Sequence, residues 1–318
     1  MQREPARWAP GRLESTPSNG QKSRLRLEYD PMLRRIATIF EMIKVQHSLF
    51  ALPWAFVAAF YAAGGMPPGG KLGWVLLAMV AARCAAMAFN RAVDAKLDAD
   101  NPRTKMRAIP AGKLGVPFTL AFAAVMVGFL VLAAAMLNPL CLKLSPVALA
   151  VTLGYSFTKR FTALCHFVLG LSLAAAPIGA WLAIAPDRAD APLPYLLGAA
   201  VMFWIAGADI LYACEDFEFD RAKRLHSVPA AVGIRPALMI SIACHVVAVA
   251  ALVAVGITAH LGLYYHVAVG AITLLLIYEH AIVKPDDLRR VNLAFFHVNA
   301  VVSAVILAGA LLDLYTRS

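Results

Sequence analysis

Residues 72–89 read LGWVLLAMVAARCAAMAF and lead directly into NRAVDAKLD at residues 90–98. The first segment is apolar throughout except for Arg83, and its length approaches the roughly 20 residues that a helix needs to cross a bilayer core of about 30 Å. Because lipid offers no partner to backbone polar groups, such a segment must be helical. The stretch therefore predicts a transmembrane helix whose end carries Asn90, Asp94 and Asp98.

The rest of the chain repeats this pattern. Of its 318 residues, 61% are hydrophobic and 15% are charged, and the mean hydropathy is +0.69. Soluble domains contain about 45–50% apolar and about 25% charged residues. The composition excludes a soluble two-domain enzyme, a disordered scaffold and a secreted disulfide domain, and the long apolar runs differ from the short alternating strands of a membrane barrel. The sequence predicts an all-α polytopic membrane helical bundle of about nine transmembrane helices, at 36–63, 72–89, 116–137, 144–158, 163–185, 195–216, 237–260, 262–283 and 291–314.

The basic residues predict the orientation of this bundle. Residues 1–35 are polar and are interpreted as a flexible N-terminal tail, which leaves residues 36–318 as the transmembrane domain. Of the 29 Lys and Arg residues, 24 lie in the tail and in the loops on the same side of the membrane. The other five are Lys71, Arg83, Lys143, Arg188 and Arg317. By the positive-inside rule the N-terminus is cytoplasmic, and the net charge of +10 reflects topology and attraction to anionic membrane lipid rather than nucleic acid.

Acidic residues cluster at the ends of two spans on this cytoplasmic side. The first set is Asn90, Asp94 and Asp98, and the second is Asp209, Tyr212, Asp216 and Asp220. Spacings of three and four place each set on one helical face. Carboxylates near membrane depth are costly and usually functional, and Mg²⁺ typically takes one or two carboxylates together with substrate phosphate oxygens. The two sets predict Mg²⁺ ions around a diphosphate; the alternative is a pair of solvated helix ends.

Each acidic set is followed by a basic stretch and then by an apolar-Pro-Ala sequence, at 101–111 and 221–230. This similarity indicates a weak internal duplication of four-helix halves, with the ninth helix added. Arg and Lys complement phosphate charge, so these loops supply candidates for diphosphate binding, although each cation is also explained by topology alone. The candidates are Arg103, Arg107, Arg224 and, as the histidine of most interest, His226.

The two acidic motifs together closely resemble those of the UbiA superfamily of intramembrane aromatic prenyltransferases. Supporting stretches are IKVQHSLFALP at 43–53, YSFTKRFT at 155–162 and LHSVP at 225–229. The flanking stretches are similar to the branch of 4-hydroxybenzoate polyprenyltransferases, some members of which are assigned to menaquinone synthesis by the futalosine route. The resemblance extends over residues 36–314. One departure is Arg91 after Asn90, where many members of the superfamily carry an Asn-Asp pair.

The resemblance implies Mg²⁺-dependent transfer of a polyprenyl group from its diphosphate to the ring of a hydroxyaromatic acid, in the inner (cytoplasmic) membrane of a bacterium with the active site facing the cytoplasm. By analogy, Asp94 and Asp98 bind the metal–diphosphate group from one side, and Asp216 and Asp220 bind it from the other side. Asn90 contacts the diphosphate or a metal-bound water. Lys159 and Arg160 of the similar stretch join the candidates for substrate binding. Tyr155 and Tyr212 are candidates for stabilising the allyl cation, with the alternative that they are interfacial anchors.

Arg83 lies seven residues before Asn90, on nearly the same face and about 10 Å deeper. A cation at that depth needs an anionic partner. The two hypotheses are the carboxylate of the aromatic acceptor and an ion pair with Asp209. Lys44 is a further candidate for binding diphosphate or the acceptor carboxylate. Asp209 is also a candidate acceptor for the proton that the ring loses, a role that released diphosphate could equally fill.

Three alternatives remain at this point. The acceptor could be a naphthoate of the futalosine route to menaquinone rather than 4-hydroxybenzoate of ubiquinone synthesis, since both present a ring hydroxyl and a carboxylate. A macrocyclic acceptor, as in haem O or chlorophyll synthesis, would use the same metal motifs. A secondary transporter would instead place its acids near the bilayer midplane.

Overall fold

The computed structural model describes residues 31–43 and 51–316, and these fold into helices joined by short connections. The α-helices are α1 (Pro31–Ile43), α2 (Leu52–Ala63), α3 (Gly69–Val93), α4 (Ala95–Asp100), α5 (Val116–Leu137), α6 (Pro139–Thr158), α7 (Cys165–Ile184), α8 (Pro192–Ala213), α9 (Phe217–Ala222), α10 (Val228–Val232), α11 (Ile234–Thr258), α12 (Leu263–Ile282), α13 (Val291–Leu293) and α14 (Asn299–Thr316). A π-helix at Ala294–Val298 joins α13 to α14, and a 3₁₀ turn at Cys214–Asp216 joins α8 to α9.

Eight helical segments in the described part of the chain are long and apolar enough to cross a membrane, and α2 is a shorter apolar helix. The eight segments correspond to the second to ninth predicted spans, which confirms the polytopic helical bundle. The first predicted span, 36–63, coincides with α1 and α2, and residues 44–50 between them lie outside the described residues. The predicted tail also lies outside them, except that α1 begins at Pro31.

The fourth predicted span, 144–158, is too short by five residues. The Asn138 side chain accepts a hydrogen bond from the Cys141 amide at 2.9 Å, and Pro139 occupies the first helical position. An Asn cap followed by proline is a strong start for a helix, so α6 begins at Pro139 and includes Lys143.

Helix α8 lies at the centre of the bundle, and two thirds of the residues in the apolar segment that it forms with its extension to Ala222 are buried. It packs against α7 and α11. A side-chain atom at Gly170 would overlap the backbone of Met202, so α7 and α8 can approach closely only because position 170 is glycine. On the opposite flank the Ser241 hydroxyl donates to the Gly207 carbonyl at 2.7 Å. Tight packing on both flanks therefore fixes the helix that carries the second acidic set.

Both acidic motifs lie where a long helix is interrupted. Asp94 separates α3 from α4 with φ −90° and ψ 7°, and Asp216 precedes α9 with φ −99° and ψ 8°. In each case a six-residue helix follows. The same local geometry at both motifs supports the predicted duplication.

The π-helix shapes the last span next to this region. The Asn299 side chain donates to the Phe295 carbonyl at 2.9 Å and accepts from the Trp204 indole at 2.6 Å. The wider turn is thereby anchored to α8, and it directs Phe295 and Phe296 towards Tyr212. Such π-helical turns often occur at functional sites.

Replacing Gly170 by alanine tests the close contact of α7 with α8. We expect Gly170→Ala to lower the free energy of unfolding by about 1–3 kcal/mol, because the added methyl group has no space. Gly179→Ala on the same helix is the matched control, since nothing lies within 4 Å of an added methyl group there. Thermal unfolding in detergent compares the two variants, and equal stabilities would contradict the proposed packing.

Candidate active site

Both acidic sets and the basic loops line one cleft of about 690 Å³. Thirteen of the predicted site residues line it: Arg83, Asn90, Asp94, Asp98, Arg103, Arg107, Tyr155, Lys159, Arg160, Asp209, Tyr212, Asp216 and Asp220. Arg224 and His226 are not among the lining residues, and both side chains are exposed. Lys44 lies outside the described residues.

The first acidic set is neutralised by arginines from two loops. Asp94 accepts a hydrogen bond from Arg160 at 2.7 Å and one from the Asn90 amide at 2.9 Å. Asp98 accepts from Arg107 at 2.6 Å. Burial raises the pKa of Asp94, and the charge of Arg160 offsets part of this rise. The Arg160 guanidinium thus favours the ionised form of Asp94, whereas burial disfavours it.

Asp216 of the second set is bound from the other half of the chain. Both of its oxygens accept hydrogen bonds from the Arg103 guanidinium, and Oδ1 also accepts from the Asn101 amide at 2.9 Å. Arg103 reaches further, to the Tyr212 hydroxyl at 2.7 Å, and its guanidinium lies 5.0 Å from the centre of that ring. Tyr212 in turn stacks on Phe295 with ring centres 4.5 Å apart. Tyr212 is therefore held between a cation and an aromatic ring.

Asp220 is the most deeply buried of the four acids, with 0% of its surface exposed. The Lys159 ammonium lies 2.8 Å from its Oδ1, and the Ser227 hydroxyl donates to its Oδ2 at 2.7 Å. Burial is the largest single influence on Lys159 and acts to lower its pKa, but the nearby acids, Asp220 first, together outweigh burial and raise the pKa of Lys159. The acid end of this pair is withdrawn from water, whereas 35% of the Lys159 side chain is exposed.

The cations cross between the two halves of the site. Arg103 follows the first acidic set in sequence but binds the second, whereas Lys159 and Arg160 are consecutive and bind one acid from each set. Each of the four acids thereby has its own cation. The arrangement gathers four carboxylates in one cleft and, at the same time, surrounds the cleft with groups that bind phosphate.

The deeper part of the cleft contains Arg83 and opens into an adjoining apolar cavity of about 210 Å³, which Arg83 also lines. The Nε atom of Arg83 is buried without a hydrogen bond, and among the described residues no carboxylate lies within ion-pair distance of its guanidinium. The hypothesis of an Arg83–Asp209 pair is therefore wrong. Asp209 binds a different residue instead.

That residue is His166, which the sequence motifs did not identify. Its Nδ1 lies 2.7 Å from Asp209 Oδ2, and its Nε2 accepts a hydrogen bond from the Val228 amide at 3.2 Å. His166 belongs to no spaced motif in the sequence, and the only signal for it was that a polar residue at the start of an apolar span is often functional. Asn101 was also missed: it follows Asp98 by only three residues, but it belongs to neither acidic set.

The donor set fits a hard divalent cation. Asp98 Oδ2 is buried and has no hydrogen bond, and an Arg91 nitrogen lies 3.8 Å from it. In the part of the chain that the structure describes, no group of three or more His, Cys, Asp or Glu side chains is gathered closely enough to hold a metal. Oxygen ligands in pairs match Mg²⁺, which commonly completes its shell with water and substrate phosphate.

Comparison with known proteins identifies the family. A model described as the UbiA prenyltransferase family matches residues 51–301, well over half of the chain. The chain belongs to the UbiA prenyltransferase family. It is therefore an enzyme of the prenyltransferase class, and the eight apolar spans among its described residues make it an integral membrane protein.

Relatives within this family cover most of the chain. The 4-hydroxybenzoate octaprenyltransferase of Nitrosospira multiformis is 31% identical over 261 residues, which cover 81% of this chain and 87% of that protein. The apo structure of a UbiA homologue from Aeropyrum pernix is 32% identical, with a TM-score of 0.78 over 85% of this chain and 98% of the other. A UbiA homologue from Archaeoglobus fulgidus, solved with DMAPP and Mg²⁺, has the same fold with a TM-score of 0.65 at 18% identity, over 87% and 99% of the two chains.

The buried Lys159–Asp220 pair makes a stability prediction. We expect Lys159→Met to lower the free energy of unfolding by about 1–3 kcal/mol, because it leaves a buried carboxylate without its cation. The expected loss is at the lower end for a buried pair, because solvent partly screens the exposed Lys159 side chain. Lys223→Met is the matched control, since Lys223 pairs with Asp100 at an exposed position and should change stability by less than about 0.5 kcal/mol. Denaturation in detergent measures both, and equal effects would contradict the assigned role of burial.

Proposed function

We propose that this UbiA-family enzyme transfers a polyprenyl group from an allylic diphosphate to the ring of a hydroxyaromatic acid, with 4-hydroxybenzoate as the preferred acceptor. The observation that carries the proposal is a single cleft that joins four cation-paired carboxylates to an apolar cavity, with the unpaired Arg83 between them. The names of the curated relatives support the acceptor. The reaction belongs to quinone synthesis in a bacterial cytoplasmic membrane, with the cleft facing the cytoplasm.

The acidic sets would hold Mg²⁺ against the diphosphate. Asp94 and Asp98 provide one pair of ligands, and Asp216 and Asp220 provide the other. Bound Mg²⁺ supplies Lewis-acid neutralisation of the negative charge that develops on the departing diphosphate. Arg103, Arg107, Lys159 and Arg160 line the same cleft and add charge-assisted hydrogen bonds to the phosphate oxygens.

Bond cleavage then places a positive charge on the prenyl chain. The allylic C–O bond breaks, and both of its electrons leave with the diphosphate. Tyr155 and Tyr212 offer aromatic faces to the resulting cation. The apolar cavity excludes water, which would otherwise capture that cation, and provides space for the prenyl chain. Residues that line it include Met79, Leu130, Leu137, Leu144 and Leu169.

The acceptor completes the reaction from the Arg83 side. Arg83 binds the acceptor carboxylate and so turns the ring towards the allylic carbon. The ring carbon next to the hydroxyl forms the new C–C bond and then loses its proton to Asp209, which restores the aromatic ring. A naphthoate with the same hydroxyl and carboxylate would meet the same groups, and the first experiment below includes it as a second acceptor.

Loss of one acid from either set tests the diphosphate site. We expect Asp94→Asn and Asp216→Asn each to lower kcat by at least about 100-fold, since each removes charge that stabilises the transition state. Purified protein with Mg²⁺, geranyl diphosphate and a panel of 4-hydroxybenzoate, hydroxynaphthoates and a porphyrin is analysed for products by mass spectrometry. Asp287→Asn is the control, because Asp287 pairs with Arg289 outside the cleft. A near-normal rate in either acid variant, or no product from the wild type, would overturn the proposal.

Removal of the Arg83 charge tests the acceptor site. We expect Arg83→Met to raise the KM for 4-hydroxybenzoate by about 10- to 100-fold, the range for a lost charge-assisted hydrogen bond. The wild type should discriminate against the uncharged 4-hydroxybenzamide by a similar factor, and Arg83→Met should treat acid and amide nearly alike. Steady-state kinetics with both acceptors provide the measurement. An unchanged preference for the acid in Arg83→Met would refute a role for Arg83 in carboxylate binding.

A further inference from the structure

We propose that His166 is a positioning residue, which holds Asp209 in the orientation needed to take the ring proton. This inference rests on the proposed function, because it assigns His166 a role in the last step of that reaction. His166 lies at the second position of α7, and Asp209 lies near the end of α8. Their contact joins two helices that already pack tightly.

The hydrogen bonds of His166 determine its tautomer. The backbone N–H of Val228 can only donate, so the Nε2 atom that receives it must carry the lone pair. In the neutral ring the single proton then lies on Nδ1. Nδ1–H points at Asp209 Oδ2, 2.7 Å away. The Val228 amide thus makes His166 a fixed donor to Asp209.

Burial makes this donor rigid and leaves one acid oxygen free. Only 2% of the His166 side chain is exposed, compared with 24% for Asp209. The Oδ2 atom of Asp209 is occupied by His166, and among the described residues no hydrogen bond reaches its Oδ1. Asp209 lines the cleft, so the oxygen that His166 leaves free is available to the acceptor. A donor fixed on one carboxylate oxygen sets the direction of the other, just as a hydrogen bond to the far side of a metal-binding side chain orients that side chain towards its metal.

The start of α10, which fixes His166, also holds an acid of the diphosphate site. Ser227 donates to Asp220 Oδ2 at 2.7 Å, and the next residue, Val228, donates to His166 at 3.2 Å. The Cys165 thiol adds a contact from the start of α7 to the His226 carbonyl at 3.3 Å. Two consecutive residues, Ser227 just before α10 and Val228 at its start, therefore place both the diphosphate ligand Asp220 and, through His166, the proton acceptor Asp209.

The test compares two substitutions at position 166 in the full-length enzyme with Mg²⁺, geranyl diphosphate and 4-hydroxybenzoate. Leucine removes both hydrogen bonds, whereas the amide nitrogen of asparagine can occupy the place of Nδ1 and donate to Asp209. We expect His166→Leu to lower kcat by about 100-fold, the lower range for general-base catalysis, with the KM for geranyl diphosphate within about twofold of the wild type. His166→Asn should recover at least about tenfold of the lost kcat, since it restores the donor.

Two further measurements separate positioning from a general structural role. Acceptor deuterated at the reacting ring carbon should show a larger isotope effect on kcat in His166→Leu than in the wild type, because proton removal becomes the slow step. In a double-mutant cycle, His166→Leu should add little to the defect of Asp209→Asn, since residues that act as a unit are not additive. A merely structural role would give additive defects and no change in the isotope effect, and either result would overturn the proposal.

Controls distinguish failure of this inference from failure of the proposed function. His245→Leu removes another buried histidine, one that contacts Trp204 and His280 outside the cleft, and it should lower thermal stability without the isotope effect. If the wild type prenylates 4-hydroxybenzoate and His166→Leu keeps its kcat, only the role of His166 falls. If the wild type forms no prenylated product, the proposed function falls first, and the role of His166 falls with it.

Discussion

Pairing of each carboxylate with a cation is the interaction on which the site depends. Four carboxylates line one cleft at the end of the membrane spans, and a buried charge that lacks a partner costs on the order of several kcal/mol. Each acid is met by a cation from a loop: Asp94 by Arg160, Asp98 by Arg107, Asp216 by Arg103 and Asp220 by Lys159. The connecting loops therefore cannot be placed independently of the helices, because each loop neutralises an acid that the bundle has brought into the cleft.

The acids and the cations are held by different kinds of structure. The acids lie at the breaks after α3 and α8, and α8 is fixed by its packing against α7 and α11. The cations lie on the connections between helices. Their side chains are longer than those of the acids and are partly exposed, as for Lys159 at 35%. Fixed acids with adaptable counter-charges are consistent with the proposed diphosphate site, since a phosphate oxygen offers a cation the same kind of charge-assisted hydrogen bond as a carboxylate.

Features with a local signal were predictable from the sequence, and long-range partners were not. Apolar length identified the spans, and spacings of three and four placed Asp94 and Asp98, and Asp216 and Asp220, on common faces. The start of α6 was missed because the cap at Asn138 outweighs the polar Lys143. Which cation meets which acid depends on contacts such as Arg103–Asp216, 113 residues apart, and His166–Asp209, 43 residues apart. No local period encodes such pairs, because they arise only when the helices pack.

Arg83 differs from the four cations that pair with the acidic sets, because no carboxylate among the described residues lies within ion-pair distance of its guanidinium. Arg103, Arg107, Lys159 and Arg160 each have a carboxylate of the protein, so the loop end of the cleft is neutralised without a ligand. Arg83 lies deeper, where a charge costs more, and its buried Nε has no hydrogen bond among the described residues. The sequence suggested Asp209 as the partner of Arg83, but the Asp209 carboxylate is hydrogen-bonded to His166 instead. Arg83 therefore has no carboxylate partner among the described residues, and this asymmetry between Arg83 and the paired cations supports the proposal that the acceptor carboxylate binds there.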